Sequence, residues 1–307
     1  MGLAVSQPKQ HSSWWWEYAE LKAPYHNEMY YFKFTLLAIA YFLAMHLTIH
    51  LIFKRKSINY RAMNNVKQTE YRTYWTSMIH AMGCFILSTI AMWYICGDGK
   101  TVFNNDECMN TPRYIHVWAL LHTCGYFTQD ACWLFFVSGG HTALDYQTYA
   151  HHIVATVTFY QTLYYMDFMI VFGVMLLFIE VSSIFLSLRF ILFAHGYGET
   201  KLYGINALVA FVAFLLGRVF FQTYIIVWVG FDWIARAYMK KDLTVFKAVV
   251  VAELMTMVIL SLVLNAYWFM LMTKMIIRVI NRALAKKKDT DEEKLELVKA
   301  DSLALGN

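Results

Sequence analysis

Between Tyr149 and Arg189 the chain reads YAHHIVATVTFYQTLYYMD and then FMIVFGVMLLFIEVSSIFLSLR, an apolar stretch whose ionisable residues before the closing arginine are His151, His152, Asp167 and Glu180. It is long enough for two membrane-crossing helices joined at Asp167, with Glu180 near mid-bilayer. A charge at that depth costs roughly 2.5 to 3.5 kcal/mol on insertion scales, so it persists only if protonated, paired or facing a polar cavity. Arg218, in the middle of a later apolar run, is the obvious partner.

The spacing of the other polar residues extends this picture. His122, Tyr126 and Asp130 recur every four residues, and so share one helix face. Glu180, Ser183 and Ser187 form a second stripe, and Arg218 with Gln222 a third. His80, Asp130, His151, His152 and Glu180 all fall in one half of the bilayer. A single intramembrane histidine or serine is ordinarily a packing hydrogen bond. Stripes turned inward together would instead enclose a polar cavity in an apolar wall, suited to a lipid headgroup or an activated acyl chain. Metal chemistry has less support: the 11 histidines form no HxxHH box, and His46 and His50, four apart, fit an interface as well as a ligand pair. No metal or resident cofactor is expected.

The elements that must position these groups follow from composition. The chain has 307 residues, 59% hydrophobic and 15% charged with 3 prolines, the profile of a polytopic all-α membrane protein. Apolar runs at about 30–53, 76–96, 115–137, 149–166, 168–193, 203–229 and 249–273 predict seven transmembrane helices. The net charge of +5 sits in membrane-flanking loops, which does not suggest a nucleic-acid partner and reads as topology information instead. Lys54, Arg55, Lys56, Arg61, Lys67 and Arg72 follow the first span, and Lys274, Arg278, Arg282, Lys286, Lys287 and Lys288 the seventh. Both groups are expected on the cytosolic or matrix side, with Arg236, Lys240 and Lys241 a smaller group on the other.

Residues 1–28, with Trp14, Trp15 and Trp16, read as an interfacial segment rather than a cleaved signal, and 281–307 as a charged tail. Among the 5 cysteines, Cys96 and Cys108 flank one polar loop and could pair if it faces an oxidising compartment. Cys84, Cys124 and Cys132 read as small core residues.

WTSMIHAMG with His80, GYFTQD with Asp130, HHIVAT, IEVSSIFLSLRFIL with Glu180 and KLYGINALVAFVAFLLGR with Arg218 follow one another in an order that resembles the TLC-domain family, named for TRAM, Lag and CLN proteins. The likeness covers about 72–280 and is greatest to the small transmembrane members of that family. It implies a first helix, 29–53, outside a six-helix bundle that surrounds a lipid-accessible cavity, in the endoplasmic reticulum for most relatives. The ceramide synthases of the family transfer a fatty acyl group from coenzyme A to a sphingoid base. By that likeness His151 or His152 would be general base or acyl acceptor with Asp130 orienting it, acyl-CoA the co-substrate, and His80, His122, Tyr126, Glu180, Ser183 and Arg218 the lipid-binding wall. Here, however, the interval before Glu180 reads MIVFGVMLLFIE, without the further histidine and acids of the ceramide synthases.

The expected function is therefore binding or acyl transfer of a fatty acyl, sphingolipid or phospholipid, with membrane lipids as partners. The alternative is a non-catalytic accessory subunit holding lipid among other subunits of a large membrane complex, such as a respiratory assembly of the mitochondrial inner membrane.

Overall fold

A computed structural model describes residues 27–138, 142–165, 167–239 and 244–304; Trp14, Trp15 and Trp16 lie outside the described residues. Among the described residues there is no strand, and the regular elements are all helices. It divides into two units, residues 1–262 and 263–307. The second is helical through Ala304.

Among the described residues, five helices are long and apolar enough to cross a membrane: Glu28–Lys56, Asn65–Trp93, Met169–Ala194, Lys201–Arg236 and Val245–Arg278. The expected third and fourth spans form helices Tyr114–Trp133 and Ala143–Tyr165, which carry more polar residues and do not meet that test of composition. They are the two that carry His122, Tyr126, Asp130 and His152, so the polarity missing from a lipid-facing span is spent on the site.

The first helix, α1 (Glu28–Lys56), buries Tyr31, Thr35, Ala38, Phe42, His46 and Ile49, one stripe at helical spacing. Its other side exposes Phe32, Leu36, Leu43 and Leu47, the composition of a surface facing lipid tails. The stripe packs on α5 (Tyr114–Trp133), where Gly125 permits close approach: a Cβ there would collide with Ala38 and stand 3.1 Å from the Ile39 backbone nitrogen. The Trp118 indole donates to the Tyr30 hydroxyl at 2.7 Å, and the Tyr160 hydroxyl donates to Thr35.

The second long helix, α3 (Asn65–Trp93), starts at Asn65 rather than at the expected 76. Asn64 caps it by accepting from the Lys67 amide at 2.9 Å, and its polar first turns extend beyond the apolar run. His80 therefore lies near the middle of this helix. Between them the short α2 (Ile58–Ala62) directs Tyr60 into a small aromatic cluster with Tyr71, Phe53 and Trp75. The Tyr71 hydroxyl is hydrogen-bonded to His195 Nε2 at 2.7 Å, which ties this end of α3 to the end of Val181–Ala194.

At the other end of α3, Cys96 and Cys108 are joined by a disulfide with Cα atoms 6.0 Å apart, an ordinary separation for such a bond. Gly97, Asp98 and Gly99 between them take positive φ, which lets the loop double back. Cys108 lies in α4 (Asp106–Asn110), where Arg236 pairs with Asp106 at 2.9 Å while also bridging Asp232. Arg236, at the end of the helix Lys201–Arg236, is thus paired with one acid on its own helix and one on α4. Cys84 and Cys124 are buried, but Cys132 is exposed, which corrects the expectation that all three are core residues. Alkylation of the unfolded protein is expected to label Cys84, Cys124 and Cys132 before reduction and all five cysteines after it. Labelling of five without reductant would show the bond absent.

Several helices depart from regular geometry although no proline enters them. A 3₁₀ turn at Phe178–Glu180 interrupts the helix that continues as Val181–Ala194, and π-helical segments occupy Leu134–Ser138, Leu215–Phe221 and Ile225–Phe231. Such irregular turns inside helices concentrate at functional sites. Glu180 sits in the first and Arg218 in the third.

Candidate functional site

The stripe read from α5 faces inward as one wall. Tyr126 stacks on His80 at 3.9 Å between ring centroids with a 14° tilt, and His122 lies near-parallel to His80 at 5.5 Å. Phe42 of α1 packs against His80, His122 and Tyr126 together. Four residues further along α5, Asp130 Oδ2 stands 3.2 Å from His152 Nδ1 of α6 (Ala143–Tyr165). Both residues are buried, and His152 stacks on Phe127 at 4.4 Å. The two are at ion-pair distance but off the line of a hydrogen bond: His152 Nδ1 has no hydrogen-bond partner, nor has Asp130 Oδ1. A poorly aligned histidine–carboxylate pair without substrate is common in sites that tighten on binding.

His151 does not share this arrangement. It projects from the next position round the helix, packs edge-on against Phe127 at 5.8 Å, and is less buried than His152. Of the adjacent pair, His152 alone is placed against Asp130.

Glu180, Ser183 and Arg218 form a second, closed network. Arg218 Nη2 donates to Glu180 Oε2 at 2.8 Å and to Ser183 Oγ at 2.7 Å, while its Nε donates to Ser182 Oγ at 2.9 Å. Ser183 Oγ also donates to Glu180 Oε2 at 2.8 Å. A buried ion pair of this kind keeps both charges tolerable inside a membrane only because nearly every donor is satisfied. The 3₁₀ turn that carries Glu180 packs against α3, the helix of His80 and Cys84, so the two clusters are neighbours. Gln222 faces elsewhere, its Nε2 3.4 Å from Ser261 Oγ.

His46 and His50 do not converge. His46 stacks on Trp133 at 4.2 Å, and His50 Nδ1 is hydrogen-bonded to the Tyr60 hydroxyl at 2.9 Å. Cys84, read from sequence as core packing, stands 3.1 Å from His80 Nε2 and 3.3 Å from Thr123 Oγ1. The signal was present in the four-residue step from His80 to Cys84, which puts both on one helix face.

This is an integral membrane helix protein with histidines and a carboxylate gathered in its interior. The family model of the TLC domain matches residues 70–274, two thirds of the chain, and the chain belongs to the TLC-domain family. A human relative, TLC domain-containing protein 1, is 30% identical over 103 residues, which is 34% of this chain and 40% of that protein. The aligned part thus spans less than half of the relative's length.

Proposed function

We propose that the protein binds a membrane lipid with its reacting group against His152 and transfers a fatty acyl group there. The observation that carries this reading is the buried His152–Asp130 pair, because a carboxylate at Nδ1 leaves Nε2 as the nitrogen that handles a proton. In the step envisaged, a lipid hydroxyl or amine attacks the thioester carbonyl of an acyl-CoA and gives its proton to Nε2. The carbon–sulfur bond breaks, the acyl group stays on the lipid, and the imidazolium returns the proton to the departing thiolate. Asp130 is a positioning residue, and His80, His122 and Tyr126 supply a rigid polar wall beside the reacting atoms. Glu180, Ser183 and Arg218 fasten the irregular helices behind that wall. The endoplasmic reticulum suits this reading, since the Cys96–Cys108 bond needs an oxidising face.

The test is purified protein in vesicles, supplied with labelled acyl-CoA and cellular lipid extract. Product should form with the unchanged protein and with His151→Ala, and be lost with His152→Ala. A lipid retained by the unchanged protein and lost with His152→Ala, with no product from either, would mean a binding role alone. Lipid and product unaffected by His152→Ala would remove the proposal. If the protein migrates only within a larger complex and turns over nothing, the accessory-subunit role takes its place.

A further inference from the structure

We infer that His80, Cys84 and His122 form a monovalent copper site within the helix bundle. One ligand atom from each lies within 4.8 Å of the other two, and His80 Nε2 and Cys84 Sγ are 3.1 Å apart. A cation near the centre of that triangle would reach all three with only small side-chain rotations. His80 and Cys84 come from one face of α3 and are fully buried, while His122 comes from the facing α5. The buried Nε2 of His122 has no hydrogen-bond partner, a cost that a ligand would remove. Gly83 supplies the room: a Cβ there would stand 2.8 Å from that same Nε2. The Thr123 hydroxyl donates to the Ala119 carbonyl at 2.9 Å and lies 3.3 Å from Cys84 Sγ, so a turn of its O–H would let it donate to a thiolate, the outer contact that metal-bound sulfur ordinarily has.

The choice of cation follows from charge and softness. One thiolate and two neutral imidazoles carry one negative charge, so a monovalent cation leaves the site neutral in a membrane interior and a divalent one leaves it positive. The nearby Arg218 and Glu180 are already paired with each other, and Asp130 is turned to His152, so none is free to balance a second positive charge. Thiolate with imidazole is a soft set that selects copper(I), and three ligands suffice without an added water. On binding, the Cys84 thiol proton leaves and a sulfur–copper bond forms, with no change of oxidation state. The site shares His80 and His122 with the wall of the proposed acyl-transfer site but does not rest on that reading.

The experiment uses the full chain in nanodiscs under anaerobic, reducing conditions, with copper(I) supplied against a chromophoric chelator. One copper(I) per chain is expected. Cys84→Ser should weaken binding by on the order of 100-fold or more and Thr123→Val by about 10- to 100-fold, since outer contacts to metal ligands carry that range. His152→Ala should keep full stoichiometry, which separates this site from the acyl-transfer proposal. X-ray absorption of the loaded, unsubstituted protein should show one sulfur and two nitrogens around copper(I). Equal binding by Cys84→Ser, no sulfur neighbour in the absorption spectrum, or zinc displacing copper(I) at equal concentration would each overturn the assignment.

Discussion

Replacing Arg218 with methionine while Glu180 remains is expected to destabilise the protein by about 3 to 5 kcal/mol, because one charge of a buried pair is then left without its counter-ion. Arg218 and Glu180 are both buried, and one guanidinium nitrogen serves Glu180 and Ser183 at once. Its loss also removes the donor from which Ser182 Oγ now accepts, while that hydroxyl keeps its own bond to the Ile179 carbonyl at 3.1 Å. Combining Arg218→Met with Glu180→Gln should recover much of the loss, since removing both charges removes the uncompensated one. The measurement is thermal unfolding of the four proteins in nanodiscs, read as a double-mutant cycle. Additive effects of the two substitutions would show that the pair is not coupled and that the helices are held by packing alone.

Asp130→Asn is the second large effect. The amide is nearly the same size as the carboxylate, so packing around Phe127 and Tyr126 should survive, while the anion that faces His152 Nδ1 at 3.2 Å disappears. The imidazole then loses its preferred tautomer and the charge that stabilises it while it holds the proton. Acyl transfer should fall by roughly 10²- to 10⁴-fold, the range for a general base and the group that orients it. The loss should lie in kcat with KM little altered, because Asp130 acts through His152 and not on the lipid. His152→Ala should be as severe, and the double variant no worse than either alone, as expected of groups that act as a unit. A rise in KM at constant kcat would instead assign Asp130 to lipid binding.

How much of this was legible beforehand differs from one residue to the next. Glu180 and Arg218 stand out in sequence because a bilayer makes unpaired charge expensive, and rarity alone pointed each to the other. The four-residue recurrence of His122, Tyr126 and Asp130 likewise located one inward face of α5, since helical periodicity is a local property. Which neighbour meets which is not local. Nothing in HHIVAT says that His152 rather than His151 meets Asp130, because that depends on the rotation of α6 against α5. Cys84 was passed over since a thiol among apolar residues looks like packing until Thr123 and His122 arrive from 39 and 38 residues away. Hydropathy detects the apolar run from about 76 and not the start of α3, because the cap, Asn64, and the polar first turns lie outside that run. The π-helical segments leave no proline signature, and the glycines in two of them, Gly217 and Gly230, do not by themselves mark a π turn.

The Cys96–Cys108 bond also bears on how the molecule is made. It joins residues at the end of α3 opposite the basic loop, so it can close only after that end has been delivered to a compartment with thiol oxidants. A chain threaded through the membrane the wrong way round would present the same two thiols to a reducing solution and remain open. The covalent link is therefore a permanent record of insertion direction, written once during biogenesis and readable later in any single molecule by whether its loop is closed.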